Sequence, residues 1–349
     1  MNEQQPQERK PVYILAIETS CDETSVAVIE DGTRIRANVV SSQIEIHKQY
    51  GGVVPEVASR KHVESITWII EQAIEESGIA SRDLTAIAVT QGPGLVGALL
   101  VGLMAGKAMA FALQLPLIAV HHIAGHIYAN TLIHELVYPL VCLVVSGGHT
   151  ELVVMEENGD FRIIGRTRDD AVGEAYDKVA RALGLPYPGG PHVDRLAAEA
   201  DEALTLPRAW LEPGSYDFSF SGLKSAVLAA LNQAKMKGEV LAPATVARGF
   251  QESVIDVLTD KAMRAVKQYG AKQLVLAGGV AANRGLRERL DAACRQAGIP
   301  LLAPPLGLCT DNAAMIGAAA YLKWQRGQFA ALDLKAEPIL PLEEWLKPQ

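Results

Sequence analysis

Two histidines one helical turn apart, His122 and His126, stand in the run His121-His122-Ile123-Ala124-Gly125-His126. On a helix, residues i and i+4 share a face, so these imidazoles are spaced to hold one metal ion. A pair of surface or capping histidines is the other reading of the same spacing. Zincin peptidases carry HExxH, with a Glu beside the first His as general base. Ile123 occupies that position here, so a metallopeptidase would lack its base. A third ligand is offered by Asp311, in Cys309-Thr310-Asp311-Asn312, although a carboxylate there can equally serve as the N-cap of the helix that follows. Two imidazoles and one carboxylate with open positions suit iron(II) or zinc.

Three further segments have the composition of ligand-binding turns. Ser146-Gly147-Gly148-His149 lies between two β-branched-rich runs, and its glycines would let backbone N–H groups approach an anion closely. Ala277-GGVAA-Asn283-Arg284 is a strand-to-helix turn of small residues that would admit a flat ring, with Asn283 facing a ribose or a base edge. It is not GxGxxG, which argues against a Rossmann dinucleotide site. Asp177 and Asp194 lie beside glycine turns, where each is either a ligand contact or a solvated helix charge.

Positioning these groups falls to a repeated frame. Ile14-LAI-Glu18 enters a polar turn and resumes as Ser25-VAVI; about 126 residues later Pro139-LVCLVV enters Ser146–His149 and resumes as Glu151-LVVM. Thr24 then corresponds to Thr150 and Val28 to Val154. Each is a hairpin signal. Ala86-IAV-Thr90, a glycine turn, a helical run and Leu115-PLIAV match Gln273-LVL-Ala277, a glycine turn, a helical run and Ile299-PLLAP. Each of these reads as a βαβ unit with parallel strands. A duplicated hairpin-plus-βαβ plan predicts an α/β fold of two lobes facing a central cleft. The segments after Leu117–Val120 and Leu301–Ala303 become equivalent, which would bring His122, His126 and Asp311 together at that cleft. Helices are expected from about Ser59 to Ser77, from about Ala171 to Leu183, and from a Thr245 cap to Gly270, the last burying Val246, Phe250, Val254, Val257, Leu258, Ala265 and Tyr269. The stretch 206–221 reads as an ordered loop.

Composition narrows the class. The chain has 349 residues, 49% of them hydrophobic, and 32 Lys+Arg against 40 Asp+Glu give a net charge of −8. That excludes wholesale disorder and leaves room for about two domains. Four cysteines without a CxxC pair are neither a disulfide scaffold nor a structural zinc site. The polar start carries no secretory signal, so a soluble, reduced, cytoplasmic protein is expected. Lys107 is the only charge between Gly94 and Val120, a stretch apolar enough to suggest a membrane span. Its prolines and glycines favour instead a core helix buried on most sides, followed by a strand.

Taken together and in order, Glu18-TSCDETS, His122-IAGH, Val145-SGGHT, Gly173-EAYDK, Tyr187-PGGP, Ser219-FSGLK, Gly278-GVAANRGLR and Cys309-TDNAAMI resemble the TsaD family, over nearly the whole chain from about Val12 to Gln325. The resemblance implies an actin-like ASKHA fold, two duplicated lobes with mixed sheets flanked by helices. Residues 12–121 with 312–349 would form one lobe and 122–311 the other, with residues 1–11 a polar tail. It implies transfer of threonylcarbamoyl from threonylcarbamoyl-AMP to N6 of adenosine 37 in tRNAs reading codons that begin with A. By motif it assigns His122, His126 and Asp311 to one iron(II), with zinc as the alternative ion. The phosphate and threonylcarbamoyl fall to Val145, Ser146, Gly147, Gly148 and His149. The nucleotide falls to Asp177, Gly190, Asp194 and Asn283. Asp22 and Glu23 lie in a turn the family needs. Implied partners are a TsaB-like paralogue bound through the first lobe, a TsaE-like ATPase and a TsaC-like synthase. A phosphotransferase or ATPase of the same fold is the alternative function. Because a tRNA binder should carry a basic footprint and this chain is acidic, tRNA binding is expected to need partners. Its basic clusters, Arg34 with Arg36, Arg60-Lys61, and Arg162, Arg166 and Arg168, read as solvated faces.

Overall fold

A computed structural model describes residues 10–346, so most of the polar tail lies outside the described residues. Three strands open the fold: β1 (Tyr13–Glu18), β2 (Glu23–Glu30) and β3 (Arg34–Ser42). A short α1 (Ile44–His47) and the long α2 (Pro55–Ser77) lead to β4 (Ala86–Gly92), α3 (Val96–Leu113), β5 (Leu117–His121) and α4 (His122–Tyr128). The plan then starts again with β6 (Leu140–Val145), β7 (Thr150–Met155) and β8 (Arg162–Arg166). Four helices follow, α5 (Val172–Ala182), α6 (Gly189–Ala198), α7 (Ser221–Lys237) and α8 (Pro243–Tyr269). The chain closes with β9 (Gln273–Ala277), α9 (Arg284–Ala297), β10 (Leu301–Leu302) and α10 (Ala313–Gln325).

The strands form two sheets, β3-β2-β1-β4-β5 and β10-β9-β6-β7-β8, which are one order read in opposite directions. The repeat extends to register. Ile14 faces Ile29 and Leu15 faces Val28 in the first hairpin, while Leu140 faces Met155 and Val141 faces Val154 in the second. The parallel pairs match too, Ile14 with Ala86 and Leu140 with Gln273. Since side chains alternate between faces, a conserved register sends corresponding residues to corresponding faces.

Apolar burial stacks these pieces in five layers. Leu15, Ile17, Val26, Val28, Ile87 and Val89 pack outward against α2 and α3. Ile14, Ala16, Ala27 and Ala88 face inward, onto a layer made of α4 and α10 that also covers Leu140, Cys142 and Val144 of the second sheet. Beyond that sheet, Val141, Leu143, Leu152 and Val154 pack on α5, α6, α8 and α9. The strands joined by helical crossovers are buried on both faces, as parallel strands in α/β proteins are. Helices α4 and α10 form the layer between the sheets, and the three candidate metal ligands lie on α4 and just before α10.

Several expectations need correction. Helix α3 is not buried on most sides: Leu100 is 45% exposed, Met104 58% and Phe111 73%. Its inner stripe, Ala98, Leu99, Gly102, Leu103, Gly106 and Ala110, packs on the sheet and an apolar outer stripe remains uncovered. Helix α8 begins at Pro243 after Ala242, two residues before Thr245, so Thr245 does not cap it. Proline suits that first position because its missing N–H would have no intrahelical partner there. Its expected apolar face is buried, with Tyr269 half-buried, and it stops at Gly270 in the left-handed conformation. Helices α6 and α7 were not anticipated. The stretch 206–221 carries neither helix nor sheet strand before Ser221 begins α7.

Candidate metal centre

Helix α4 begins where β5 ends, and three histidines meet at that junction. His121 is consumed by structure: its Nδ1 accepts the Ile123 N–H at 3.1 Å, capping the helix, and its Nε2 donates to the Leu340 carbonyl at 2.8 Å. Burial, and then the neighbouring His122 charge, push it down to about 3, offset in part by the Leu340 bond. It is therefore a neutral core histidine. His122 and His126 are buried as well, 8% and 1% exposed, which removes the surface reading of the HxxxH spacing. Their rings lie edge to face with centroids 4.7 Å apart.

Asp311 reaches the pair because a neighbour takes the capping role. Asn312, not Asp311, caps α10: its Oδ1 accepts the Met315 N–H at 3.2 Å while its Nδ2 donates to the Thr310 carbonyl at 2.8 Å. The helix start is pinned to the first sheet by Ala313 N–H donating to Ser25 Oγ and Ala314 N–H donating to Asn38 Oδ1. Asp311 is left free to point at the histidines, with its Oδ1 3.1 Å from His126 Nε2 and 3.6 Å from His122 Nε2. One ligand atom from each of the three residues lies within 4.8 Å of the other two, close enough to share an ion.

The electrostatics fit a cation at this point. Burial raises Asp311, but the His122 charge and contact with His126 override it and bring the carboxyl down to about 2. Burial lowers His122, yet Asp311 and then Glu18 hold its imidazole up to about 9. Neither ring nitrogen of buried His126 makes an aligned hydrogen bond, and Nε2 has only the Asp311 carboxylate 3.1 Å away. Buried polar atoms in native proteins are nearly always satisfied, and a lone pair aimed at a carboxylate oxygen is satisfied by a metal between them. Nitrogen, nitrogen and oxygen donors are those of catalytic zinc and non-haem iron(II) sites.

The glycine turn of the second lobe sits beside this trio. Ser146 N–H donates to the His149 carbonyl at 2.8 Å and His149 N–H donates to Ser146 Oγ at 3.0 Å, closing the turn. Those bonds use neither the Gly147 nor the Gly148 N–H, and a side chain added at either glycine would enter open space. Val145 ends β6 and is buried, so it contributes backbone only. His149 is driven down to about 4 by burial and by His122 and His126, so it stands as a neutral imidazole near the ligand pair. Helix α5 approaches closely from behind: Gly173 N–H donates to the Ser146 carbonyl at 3.1 Å, and a Cβ at Gly173 would lie 2.7 Å from that oxygen.

The remaining assigned residues divide into open and engaged groups. Gly190 faces open space, next to Gly189, whose N–H donates to Asp177 Oδ1 at 2.6 Å. Asp177 is raised by burial, partly offset by that bond. Asp194 and Asn283 are largely spoken for by the start of α9. Asp194 accepts from the Arg284 N–H and from Gln251 Nε2, while Asn283 caps the helix through the Leu286 N–H and donates to Gln251 Oε1. What they leave toward a ligand is the backbone turn they hold in shape. Asp22 and Glu23 are buried at the first hairpin turn, where burial and Asp22 keep the Glu23 carboxyl well above its ordinary range. The reading of residue types overlooked Glu18, which is wholly buried beside His122. A carboxylate closing the otherwise apolar strand Ile14-LAI-Glu18 was the available signal.

Two matching five-stranded sheets around a central helical layer define an α/β protein of actin-like fold with a candidate His-His-carboxylate metal centre. Solved structures support that fold: T. kodakarensis HypF matches at a TM-score of 0.62 and 14% identity, over 93% of this chain and 50% of that one. Component A of the (R)-2-hydroxyglutaryl-CoA dehydratase of Acidaminococcus fermentans matches at a TM-score of 0.53 and 16% identity, over 89% of this chain and 98% of that one. The family described as TsaD, tRNA N6-adenosine threonylcarbamoyltransferase, matches residues 34–318, and the chain belongs to that family. Curated proteins of that name from Halalkalibacterium halodurans and Bacillus cereus are 65% and 63% identical, over 95% and 96% of this chain and 96% and 98% of theirs.

Proposed function

We propose that the chain performs the reaction of its family, moving threonylcarbamoyl from threonylcarbamoyl-AMP to N6 of adenosine 37 in tRNAs that read codons beginning with A. The observation that carries this reading is more than 60% identity to curated transferases over about 95% of the chain. The geometry agrees with it. A carbamoyl–AMP anhydride already has a good leaving group, so the protein has mainly to position the donor and stabilise charge on the carbonyl oxygen. In the reaction the N6–carbonyl bond forms, the bond to the AMP oxygen breaks, and the N6 proton is lost.

His122, His126 and Asp311 would hold the ion, which we take to be iron(II). When bound, it supplies a Lewis acid or a template for the substrate's oxygens. The free N–H groups of Gly147 and Gly148 would face the phosphate or the carbonyl oxygen, and neutral His149 adds no charge that would compete with the ion. Asp177, Gly190, and the turn shaped by Asp194 and Asn283 would receive the nucleotide. Adenosine N6 is a weak nucleophile because its lone pair is delocalised, so holding it at attack distance matters more than a strong base.

Partners follow from two surfaces. The uncovered apolar stripe of α3 adjoins α2 in a shallow groove lined by Val63, Ile66, Leu100, Val101, Met104 and Ala105. Contiguous exposed apolar area of this kind marks an interaction site, and we assign it to a TsaB-like paralogue. Most side chains of the basic clusters pair with acids: Arg34 and Arg36 with Glu30, Lys61 with Glu64, Arg162 with Glu156, Arg166 with Glu343, and Arg168 with Glu212 and Asp217. That favours tRNA capture by a complex including the paralogue and a TsaE-like ATPase, in the cytoplasm, with a TsaC-like synthase making the donor. The lobe boundaries we adopt are 12–121 with 312–349, and 122–311, which agrees with α10 packing on β1, β2 and β3. The test is reconstitution with unmodified tRNA, threonine, bicarbonate, ATP and the partner proteins, followed by mass spectrometry of the nucleosides. Threonylcarbamoyl-adenosine that forms only when this chain is present is the expected result. Its absence in the complete mixture, or Mg²⁺-dependent ATP turnover by this chain alone, would overturn the reading.

A further inference from the structure

Glu18 is 0% exposed at the end of β1, and a buried carboxylate is tolerated only when it is well partnered. Oε1 accepts the Ser20 N–H, and Oε2 accepts the Thr90 hydroxyl at 2.6 Å. Oε2 also lies 3.1 Å from His122 Nδ1, and Ser20 Oγ approaches the same nitrogen at 3.1 Å. The opposite nitrogen, Nε2, faces Asp311. The His122 ring is thus held with one nitrogen toward the strand and the other toward the candidate ligand position. His126 has no comparable partner at its Nδ1.

We propose that Glu18 is the positioning residue of the metal centre: its carboxylate accepts the His122 Nδ1–H and so directs the Nε2 lone pair at the ion shared with His126 and Asp311. The proposal rests on the metal reading above. Metal-bound histidines generally donate their other N–H to a carboxylate or carbonyl, which fixes tautomer and ring orientation. Here two donors fix the carboxylate in turn. The backbone of the polar turn holds one oxygen, and Thr90 of β4 holds the other. The acid therefore cannot swing away from the ring without giving up the buried Ser20 N–H and the short Thr90 bond.

Glu18→Gln separates this role from a merely structural one. With the amide oxygen kept on the Ser20 N–H, the NH₂ group faces His122 Nδ1 and donates to it. That forces the tautomer that carries its proton on Nε2, where the ion would bind. With the amide flipped, two donors meet at Ser20. The probe is Zn²⁺ alone, titrated into the chelator-stripped full chain against a chromogenic chelator, alongside wild type, His126→Ala and Thr90→Val. Thermal melting of each stripped protein is recorded in parallel. We expect Glu18→Gln to weaken Zn²⁺ binding about 10- to 100-fold, and Thr90→Val to weaken it less, in the same direction. Wild-type Zn²⁺ affinity in Glu18→Gln, with only a lowered melting temperature, would assign Glu18 to the turn and overturn the proposal. Should Glu18→Gln not fold, unchanged affinity in Thr90→Val overturns it. If His126→Ala keeps Zn²⁺, the metal reading itself fails, a separate outcome.

Discussion

The two hairpin turns occupy the same place in the repeat and hold opposite contents. Between β1 and β2, Glu18, Thr19, Ser20, Asp22 and Glu23 are buried polar side chains. They are braced by α3 and the loop before it: Thr19 Oγ1 donates to the Ala98 carbonyl and accepts the Gly102 N–H, while the Ser20 carbonyl accepts the Leu95 N–H. Between β6 and β7, Gly147 and Gly148 are exposed, with open space where side chains would project. The strand register that delivers both turns is the same. Duplication therefore fixes where a turn arrives, and the turn's own residues decide its work. The first turn is filled and rigid, and it orients a candidate ligand. The second is bare and presents backbone N–H groups.

If that division holds, substitutions in the two places should fail differently. The largest loss is expected from Asp311→Asn, on the metal side. It removes the one charged ligand, and metal affinity measured by chelator competition should fall by more than the roughly 100-fold typical of outer contacts, with transfer lost in step. Gly148→Val fills the open space over the second turn. Transfer by the reconstituted complex should fall about 100-fold, the cost of misplacing a reacting group by an ångström or so, while metal content stays at the wild-type value. Loss of metal in Gly148→Val would show that the turns do not divide the work.

A gentler perturbation is pH. His122 is raised from 6.5 to about 9 by Asp311 and Glu18 against the effect of burial. A raised pKa stabilises the folded protein fully below the unfolded value and ceases to do so as pH passes the folded one. The chelator-stripped chain should therefore lose stability as pH rises from about 6.5 to about 9. Metal binding must displace the same proton, so Zn²⁺ affinity should climb about tenfold per pH unit over that range and level off above about 9. Melting curves and chelator titrations across this range check both slopes, and a flat affinity profile would remove His122 from the ligand set.

Much of the frame was legible because both of its signals are local. Apolar runs around polar turns recur about 126 residues apart, strand–glycine–helix–strand units recur in the same order after them, and the observed hairpin register keeps the 126-residue offset. The HxxxH pair was legible for the same reason, since helical period alone puts His122 and His126 on one face. Asp311 was reached through the duplication rather than through its local sequence. Asp311 and Asn312 are both good caps, and only the tertiary docking of α10 decides that Asn312 turns inward to cap while Asp311 points at the histidines. The apolar run of α3 gave no hint that its outer stripe stays uncovered, because composition does not reveal whether another element of the same chain packs there. Glu18 escaped because its meaning comes from His122, 104 residues away in sequence.

The most direct measurement is metal K-edge X-ray absorption on the iron- or zinc-loaded chain, compared with His126→Ala. Two imidazole nitrogens and a carboxylate oxygen at about 2.0–2.2 Å, with one imidazole missing from any metal His126→Ala retains, is the predicted result. An unchanged coordination shell in His126→Ala, or one without imidazole in the wild type, would contradict a metal centre built from His122, His126 and Asp311.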